Sequence, residues 1–415
     1  MNRSESIAYP KTGFLAKINF LIRKNSRVVL AIFAFVTFVL ILSLDAVQKD
    51  ATGSNSFSAL RSMGSSNFIR FGGAMHPGYF TLENSMINEN QFRFAAVTDL
   101  DQLSRVTDSS KPLFKSLLLP GTLTRDPATN QYSIEFEEIR TLTSKHNEAG
   151  RGMELSELTL YDNRLLSFDD RTGTVYEILS KDKGKSSFVV PRFVITEGSG
   201  DTDKGMKWEW ASVKNGELYM GSFGKEYTRE DGSIANTNNL WIDILSHRGE
   251  LRRLDWSENY NFVRAKLGAS SPGYVIHEAI LWSSYLNKWV FVPRRISSEA
   301  YDENADERKG SNKLVLVDES FTTATIVDIK MKEVDPLHGF STIAFVPGTR
   351  DRHILAVRTV EEDCVGGDED ACKQRSYFLV FNVETGEVLM EETKFPTEGF
   401  KFEGVEFVDI CTPEP

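Results

Sequence analysis

The sequence is poor in cysteine and histidine, with three Cys and six His in 415 residues. Cys364, Cys372 and Cys411 are too few for a disulfide scaffold, and no pair has the CxxC spacing of a metal site. Cys364 and Cys372 bracket an acidic, Gly-containing loop, where they either form a small disulfide or remain free thiols together with Cys411. His277 and His338 are joined by no further histidine, so the sequence argues against a histidine-based metal site.

Positive charge and the common catalytic motifs are also lacking. Asp and Glu exceed Lys and Arg by 59 to 48, for a formal net charge of -11. Basic runs with interleaved aromatics are absent, which argues against a nucleic-acid partner. The segment GSFGKE at 221–226 has neither the spacing nor the Ser/Thr of a P-loop. HExxH and G-x-S-x-G motifs are missing, so any activity must depend on residues that are dispersed along the chain.

One charge-free apolar segment, residues 28–44, follows a basic N-terminal segment, residues 1–27. A helix of this length spans roughly 25 Å, close to the lower limit for crossing a membrane. A cleaved signal peptide is the alternative, but the apolar segment is long and no A-x-A site follows promptly. We therefore predict a type II signal anchor with residues 1–27 in the cytoplasm. The rest of the chain would then lie in the lumen of the Golgi or endoplasmic reticulum, or be secreted after cleavage.

Residues 45–89 are rich in Ser, Gly and Asn and are predicted to form a stalk or linker. Residues 90–415 would form the folded domain. Within them the segment LSELTL at 155–160 is followed by four weakly similar segments. Each of the five segments has a Ser or Glu at an equivalent position, which we call its anchor, and successive anchors lie 53, 69, 63 and 62 residues apart. The anchors are Ser156, Glu209, Glu278, Ser341 and Glu403. This period and the short strands predict an all-β, five-bladed β-propeller with each anchor early on an innermost strand.

The two ends of the chain are predicted to share one blade. Strand candidates at residues 92–97, 115–123 and 132–139 precede the first anchor, whereas almost nothing follows the last. The ring closes if residues 403–408 supply the inner strand of the blade that the N-terminal strands begin. This mixed-terminus closure removes the exposed sheet edges.

The anchors form an oxygen-only set of three Glu and two Ser. Such a set around a narrow channel suits a hard cation such as calcium. Taken singly, each Glu is better explained as a solvated residue at a strand end. Five anchors in register favour the ring.

A second set of charged residues ends the strand after each inner strand. Because neighbouring strands are antiparallel, these ends would gather at the mouth of the channel where the anchors lie. Polar turns are the alternative, and DRTG at 170–173 is typical of a hairpin turn. A cluster of Asp, Arg and Lys beside a cation site would make a phosphate pocket. The residues are Asp99, Asp101, Asp169, Asp170, Arg171, Lys225, Glu226, Arg294 and Arg295.

Several short motifs, taken in their order along the chain, resemble the calcium-activated nucleotidases, which are apyrases related to the salivary apyrase of blood-feeding insects. They cover residues 92–408 and include GRGMELS (150–156), DDRTG (169–173), FGKE (223–226), PGY (272–274), IHE (276–278), VPRR (292–295), DERKG (306–310), HGFS (338–341) and FEG (402–404). The resemblance implies a five-bladed propeller with calcium in its channel. It also implies hydrolysis of nucleoside di- and triphosphates. The implied calcium ligands are Ser156, Glu157, Glu209, Glu278, Ser341 and Glu403; at Glu157 related members often carry Asp.

On this reading water attacks the terminal phosphorus in line, and Asp99, Asp101, Asp169 or Asp170 orients or deprotonates it. Arg171, Lys225, Glu226, Arg294 and Arg295 would contact the substrate, for which UDP and GDP left by sugar transfer are candidates. Two alternatives are a non-catalytic binding propeller with structural calcium and a propeller glycosidase, which also needs paired carboxylates. The basic residues favour the nucleotidase, because phosphate recognition needs them and sugar hydrolysis does not.

Overall fold

β-Strands dominate the structure, which is a computed structural model. It describes residues 80–181, 186–229, 233–362 and 373–410, except for the side chains of residues 303 and 304. The predicted tail (1–27) and anchor (28–44), most of the predicted stalk (45–89) and all three cysteines lie outside these residues. No helix of the described part of the chain is long and apolar enough to cross a membrane.

The strands form five antiparallel sheets arranged as blades 1 to 5, each a meander. Blade 1 begins with β1 (Met86–Asn88), β2 (Gln91–Asp99), β3 (Phe114–Arg125), β4 (Tyr132–Phe136) and β5 (Arg140–Ser144). Blade 2 contains β6 (Leu155–Tyr161), β7 (Arg164–Asp169), β8 (Thr174–Lys181) and β9 (Ser186–Val194).

Blades 3 and 4 each carry a short two-stranded ribbon in addition to their sheet. Blade 3 comprises β10 (Trp210–Lys214), β11 (Glu217–Gly221), β14 (Trp241–Leu245) and β15 (Leu251–Asp255), with the ribbon β12 (Tyr227–Thr228) and β13 (Ile234–Asn236). Blade 4 comprises β17 (Ile280–Ser283), β18 (Lys288–Phe291), β20 (Lys313–Asp318) and β21 (Ala324–Asp328), with the ribbon β16 (Tyr274–Ile276) and β19 (Arg295–Ser297).

Blade 5 and the last strand complete the ring. Blade 5 comprises β22 (Gly339–Phe345), β23 (His353–Glu362), β24 (Lys373–Asn382) and β25 (Val388–Lys394), and the chain ends with β26 (Lys401–Glu406). β26 pairs with β2 and so joins blade 1, which is the predicted closure by both ends of the chain. The innermost strands β26, β6, β10, β17 and β22 each contact the next around the axis. The five-bladed propeller that the repeat predicts is thereby confirmed.

Helical segments are few and short in the described residues. They are α1 (Leu82–Ser85), α2 (Ser257–Lys266) and α3 (Glu303–Asp306). α1 and β1 precede residue 90, where the sequence placed the start of the folded domain. The amide of Phe80 donates a hydrogen bond to the carbonyl of Asn163 at 3.2 Å. Phe80 therefore contacts blade 2, β1 pairs with β2 of blade 1, and the residues before 90 are in contact with the propeller.

The hydrophobic core is divided into five clusters, one at each interface between neighbouring blades. Central strands of a blade are covered on both faces, so they contain nearly continuous apolar segments. The cluster between blades 3 and 4 shows the packing: Trp210 stacks on Trp256 at 5.5 Å and meets Trp289 edge-on at 6.3 Å. Large side chains fill the wedge that opens between two blades away from the axis. The blades are in this way held at fixed angles, which fixes the positions of the side chains along the channel.

Candidate active site at one mouth of the channel

Three of the five anchors lie at an irregularity of their inner strands. The pairing of β6 with β7 passes from Leu155 to Glu157 and skips Ser156. The same shift skips Ser341 in the pairing of β22 with β23, and Glu403 in that of β26 with β2. A β-bulge leaves one residue unpaired and turns its side chain away from the normal alternation. Bulges recur at this position in three blades, and the side chain of Glu403 lines the cavity at the mouth.

The other two anchors stand just before their strands. The amide of Glu209 donates to the carbonyl of Gly221 at 2.9 Å, although Gly221 is already the partner of Trp210 in the sheet. Glu278 lies between β16 and β17, where the chain passes from the ribbon into blade 4. All five predicted anchors therefore occupy equivalent places in the blades.

Three anchor carboxylates line a single cavity of about 780 Å³ at this mouth. They are Glu209, Glu278 and Glu403, each buried. Burial raises the pKa of Glu209 to about 8; Lys207 acts against this shift, and the nearby carboxylate of Glu278 adds to it. Burial likewise raises the pKa of Glu403 well above its usual range, and Glu278 adds to that shift as well. The three carboxylates are thus close enough to repel one another, so bringing them together costs free energy unless a cation is present.

The serine anchors differ in their partners. Ser341 Oγ donates to the carbonyl of Phe402 at 2.8 Å. Ser156 is 1% exposed, and its Oγ has no hydrogen-bond partner among the described residues. A buried hydroxyl without a partner is costly. The donor types of the anchors, hydroxyl and carboxylate oxygens, fit the calcium ion implied by the family resemblance; of the five, Glu209, Glu278 and Glu403 line the cavity.

Glu157 lies away from this group. Its side chain lines a different cavity of about 520 Å³ where the inner strands leave the channel. Its Oε1 accepts hydrogen bonds from the amide of Leu158 at 2.7 Å and from Thr342 Oγ1 at 3.2 Å. The structure therefore does not bring Glu157 together with the other predicted ligands.

Arg294 is the central cation of the mouth. It is 5% exposed and follows β18, as the sequence placed it. Its Nη1 contacts Glu278 and lies 3.0 Å from Glu403 Oε1, while its Nη2 lies 2.5 Å from Glu361 Oε2. A guanidinium has donors on two edges, which lets it bridge several carboxylates in one plane. Arg294 is thus in direct contact with two of the predicted metal ligands.

Lys401 is a second buried cation, on β26 and two residues before Glu403. Its Nζ lies 2.8 Å from Asp99 Oδ2, 3.0 Å from Asp101 Oδ2 and 3.0 Å from Glu361 Oε1. Burial by itself lowers the pKa of Lys401, but the surrounding carboxylates hold it well above the usual value. Lys401 therefore remains charged and ties blade 1 to the end of β23.

An acidic cluster lies next to Lys401. One carboxylate oxygen from each of Asp99, Asp101 and Glu154 falls within 4.8 Å of the others, and the three could hold a metal ion. Burial raises the pKa of Glu154 to about 8, although Arg151 contacts it at 2.6 Å. At Asp99 burial is outweighed by Lys401, which lowers the pKa of the carboxyl. Asp101 has a backbone φ of 48°, in the left-handed region. Backbone strain of this kind gathers at functional sites.

Asp169 and Asp170 are neighbours with different surroundings. Asp169 accepts hydrogen bonds from the amides of Met153 at 2.8 Å and Arg171 at 3.0 Å, so it holds the turn after β7. Asp170 contacts Lys207, and its Oδ1 has no hydrogen-bond partner in the described part of the chain. Of the two, Asp170 is the carboxylate with an oxygen left for a ligand. Arg171 lies at the rim, 3.8 Å from Glu148.

The remaining predicted substrate contacts separate into two groups. Lys225 lines the cavity, and burial lowers its pKa to about 8. Glu226 is instead engaged by Arg264, at 3.1 and 2.9 Å. Arg295 is 2% exposed and lies 3.8 Å from Asp306, behind the wall of the cavity. Of these three, only Lys225 directly lines the cavity.

Sequence reasoning did not select Glu154, Lys207, Glu361 or Lys401. Three of them stand two residues before an anchor: Glu154 before Ser156, Lys207 before Glu209, and Lys401 before Glu403. Only Lys401 lies on the strand of its anchor, so the recurring spacing itself, and not strand alternation, was the usable signal. Glu361 lies in the charged end of β23.

The sequence model of a family described as Apyrase matches residues 100–408. An apyrase from Cimex lectularius is 39% identical over 320 residues, which are 77% of this chain and 83% of that protein. The soluble calcium-activated nucleotidase 1 of Rattus norvegicus is 37% identical over 322 residues, which are 77% of this chain and 74% of that protein. The apyrase apy-1 of Caenorhabditis elegans is 34% identical over 335 residues, which are 80% of this chain and 88% of that protein.

Proposed function

The chain belongs to the apyrase family, and we propose that it is a calcium-dependent enzyme that removes the terminal phosphate of nucleoside di- and triphosphates, UDP and GDP among them. Nucleotide hydrolysis is the activity of the family, which sets aside the glycosidase and the non-catalytic propeller. Calcium dependence is supported by the name of the rat relative, a calcium-activated nucleotidase. The observation that carries the proposal is the group of buried carboxylates Glu209, Glu278 and Glu403 beside the cations of the same cavity.

The proposed ligands of calcium are Ser156, Glu209, Glu278, Ser341 and Glu403, with Glu157 as the least favoured member of the predicted set. A bound calcium ion would supply positive charge that offsets the charge on a phosphate group. Arg294 and Lys401 would be the protein's own contribution to binding phosphate. Both are buried and charged, and both contact the carboxylate of Glu361, whose place phosphate oxygens could take.

Among the four proposed catalytic carboxylates, Asp99, Asp101 and Asp170 are the better placed. Asp99 and Asp101 line the cavity, and Asp170 Oδ1 has no hydrogen-bond partner in the described residues. A carboxylate that accepts a hydrogen bond from water orients it for in-line attack and takes up its proton. Asp169 is engaged by backbone amides, so we propose that it positions the turn that carries Asp170 and Arg171.

The test is phosphate release from UDP, GDP, ADP and UTP, measured with calcium, with a chelator, and with magnesium alone. We expect release with calcium, loss of release with the chelator, and recovery when calcium is restored. Glu361→Gln is the test variant, because Glu361 contacts both Arg294 and Lys401. Glu217→Gln is its control, because Glu217 pairs with Arg252 outside the cavity. Full activity in the chelator would contradict calcium dependence, and no release from any nucleotide would contradict the proposed activity.

We also propose that residues 28–44 anchor the protein with its propeller in the lumen of the secretory pathway. The support is the apolar, charge-free sequence and the basic residues before it. Alkaline carbonate extraction of membranes tests the anchor, because an integral protein stays in the pellet. Release of the intact chain into the supernatant would contradict it.

A further inference from the structure

The mouth cavity has an aromatic side as well as a charged side. Its charged side, near the channel axis, carries Arg294, Lys401 and the anchor carboxylates. Its other side, between blades 3 and 4, carries Phe223, Tyr227 and Tyr301, which we call the aromatic wall. The proposed phosphate chemistry uses only the charged side. The aromatic wall is therefore a part of the cavity without an assigned role.

The wall is assembled from two separate segments. Tyr227 begins β12 in the ribbon of blade 3, and Tyr301 lies in the connection between β19 and α3. The Tyr301 ring packs edge-on against Tyr274 at 5.4 Å, and Tyr274 is fixed by a 2.5 Å hydrogen bond from its hydroxyl to Asp306. This side of the wall is held in place before any ligand binds.

Tyr227 contributes a different kind of surface. It is 42% exposed, although a large aromatic side chain is stabilised mainly by burial. The Lys204 ammonium lies 4.7 Å from its ring, and the Lys225 ammonium lies 4.1 Å from the ring of Tyr301. Aromatic rings that are exposed, as in Tyr227, or only partly buried, as in Tyr301, provide little core stability beside ammonium groups at the mouth of a polar cavity. They do provide π-faces for a flat ligand.

We infer that the aromatic wall is the nucleobase subsite, with Tyr227 and Tyr301 as the residues that contact the base. This inference rests on the proposed function. A nucleotide carries negatively charged phosphates at one end and a flat aromatic base at the other. The cavity has its cations near the axis, where the phosphates would lie, and the aromatic wall farther out, where the base would lie. Stacking on aromatic rings accepts every base, because each has a π-face. The wall would accordingly support a broad nucleotide preference.

Lys225 marks the border between the two sides. Its Nζ donates to the carbonyl of Glu226 at 3.0 Å and to Thr228 Oγ1 at 3.1 Å, which fixes the ammonium against the Tyr301 ring. An ammonium has three donors. Lys225 lines the cavity, so we assign its third donor to the sugar of a nucleotide that spans the charged side and the wall.

The test compares a nucleotide with a substrate analogue that lacks the base. KM and kcat are measured for GDP, and the inhibition constant is measured for methyl diphosphate, all at one free calcium concentration. The variants are Tyr301→Ala, Tyr227→Ala and Tyr301→Phe. The control is Tyr285→Ala, which removes a tyrosine that is 70% exposed and lines the cavity at the opposite end of the channel.

We expect each alanine variant to raise KM for GDP by roughly fivefold or more, given the strength of base stacking on aromatic side chains. kcat should change little, because an interaction made equally in the ground and transition states affects KM alone. The inhibition constant of methyl diphosphate should stay at the wild-type value. Tyr301→Phe keeps the ring and should behave like the wild type, as should Tyr285→Ala.

Two results would overturn the inference. One is an equal loss of affinity for GDP and methyl diphosphate, which would place the tyrosines in phosphate binding or in folding. The other is an unchanged KM for GDP in both alanine variants; Tyr227 is exposed, so its variant should fold. A wild-type protein that releases no phosphate from any nucleotide would instead contradict the proposed function.

Discussion

At the residue scale, the site depends on a few side chains that the bulges place on one side of each inner strand. The skipped residues Ser156, Ser341 and Glu403 would otherwise obey the alternation of a regular strand. Their burial removes them from water, so each needs a partner inside the protein. Arg294 and Lys401 supply partners for the carboxylates, whereas Ser156 Oγ has none among the described residues.

Ser156→Ala should separate cation binding from folding. Its Oγ makes no hydrogen bond in the described structure, so without calcium the free energy of unfolding should change by less than about 1 kcal/mol. The rise in Tm that calcium produces should shrink. Ser283→Ala is the matched control, because this buried serine is not a proposed ligand, loses a 2.8 Å hydrogen bond to Asp351 and should lower Tm equally with and without calcium. A calcium-induced rise in Tm that is unaltered in Ser156→Ala would remove this hydroxyl from the ligand set.

Arg294→Ala should reduce phosphate release while leaving a folded protein. A lost contact between a guanidinium and a phosphate costs about 1.5–3 kcal/mol, or roughly ten- to a hundred-and-fiftyfold in kcat/KM. Thermal stability should also fall, because three buried carboxylates lose their shared cation. Arg252→Ala is the control: Arg252 pairs with Glu217 at 2.7 Å on the surface and should change neither quantity much. Near-normal kcat/KM would assign Arg294 a purely structural role.

At the scale of elements, the ring depends on β26. This strand pairs with β2 of its own blade and lies against β6 of the next, so it links both ends of the chain to blade 2. Gly404 lies at the tightest point. A Cβ added there would come within 2.5 Å of the Glu157 carbonyl carbon and 2.6 Å of the Leu158 amide. The glycine allows the two strands to approach closely.

Gly404→Ala should therefore loosen the closure of the ring. Backbone atoms block the new methyl group, so the cost should reach about 3 kcal/mol or more, the upper end for overpacking. Gly399→Ala is the matched control, since no atom lies within 4 Å of its Cβ and only its φ of +81° is unfavourable. That strain costs about 1–2 kcal/mol. Chemical denaturation measures both, and equal losses would show that Gly404 does not limit the approach of the strands.

His353 makes the interface between blades 5 and 1 sensitive to pH. Its Nδ1 lies 2.7 Å from the hydroxyl of Tyr132. Burial, together with Arg125 and Arg352, lowers the pKa of His353 from 6.5 to about 4. A depressed histidine pKa stabilises the fold fully above pH 6.5, and this stability is lost as the pH falls toward 4.

Tm measured from pH 7 to pH 4 tests this interface. In the wild type, protonation of His353 should contribute to a fall in Tm between pH 6.5 and pH 4. In His353→Gln, Tm should fall less over this range. Gln cannot be protonated and can still bond to Tyr132. His247→Gln is the control, because His247 is exposed. Identical slopes for the wild type and His353→Gln would contradict the assignment.

At the scale of the whole molecule, a cation on the axis would join all five blades. The proposed ligands come from blades 1 to 5, one from each, and the five interblade clusters fix the spacing of those ligands. Calcium accepts six to eight oxygens in a loose geometry, whereas magnesium requires a near-ideal octahedron of shorter bonds. A site whose spacing is set by the propeller favours the larger ion.

Calcium should raise the Tm of the wild-type protein, and magnesium at the same concentration should do so much less. At a hundred times the dissociation constant, a ligand that binds only the folded state adds about 2.7 kcal/mol to its stability. Scanning calorimetry with chelator, with calcium and with magnesium measures the difference. Equal stabilisation by the two ions would mean that the axial site does not select by size.

The sequence by itself determined the number of blades, their order and the closure by both ends of the chain. These follow from the spacing of the anchors and from strands left without partners at each end, which are properties of the linear pattern. It also identified Glu209, Glu278, Glu403, Arg294 and Asp99 as members of one mouth, since antiparallel strands bring their ends together.

Only the tertiary structure decided which charged side chains meet. Glu157 follows Ser156 directly, yet its side chain lines a different cavity and accepts hydrogen bonds from Leu158 and Thr342. Glu226 pairs with Arg264, which lies far away in sequence. Arg295 is buried behind the cavity, near Asp306. Lys401 and Glu361 meet 3.0 Å apart across two blades. Such partners depend on the angle and distance between blades, which packing at the interfaces fixes and which no local spacing encodes.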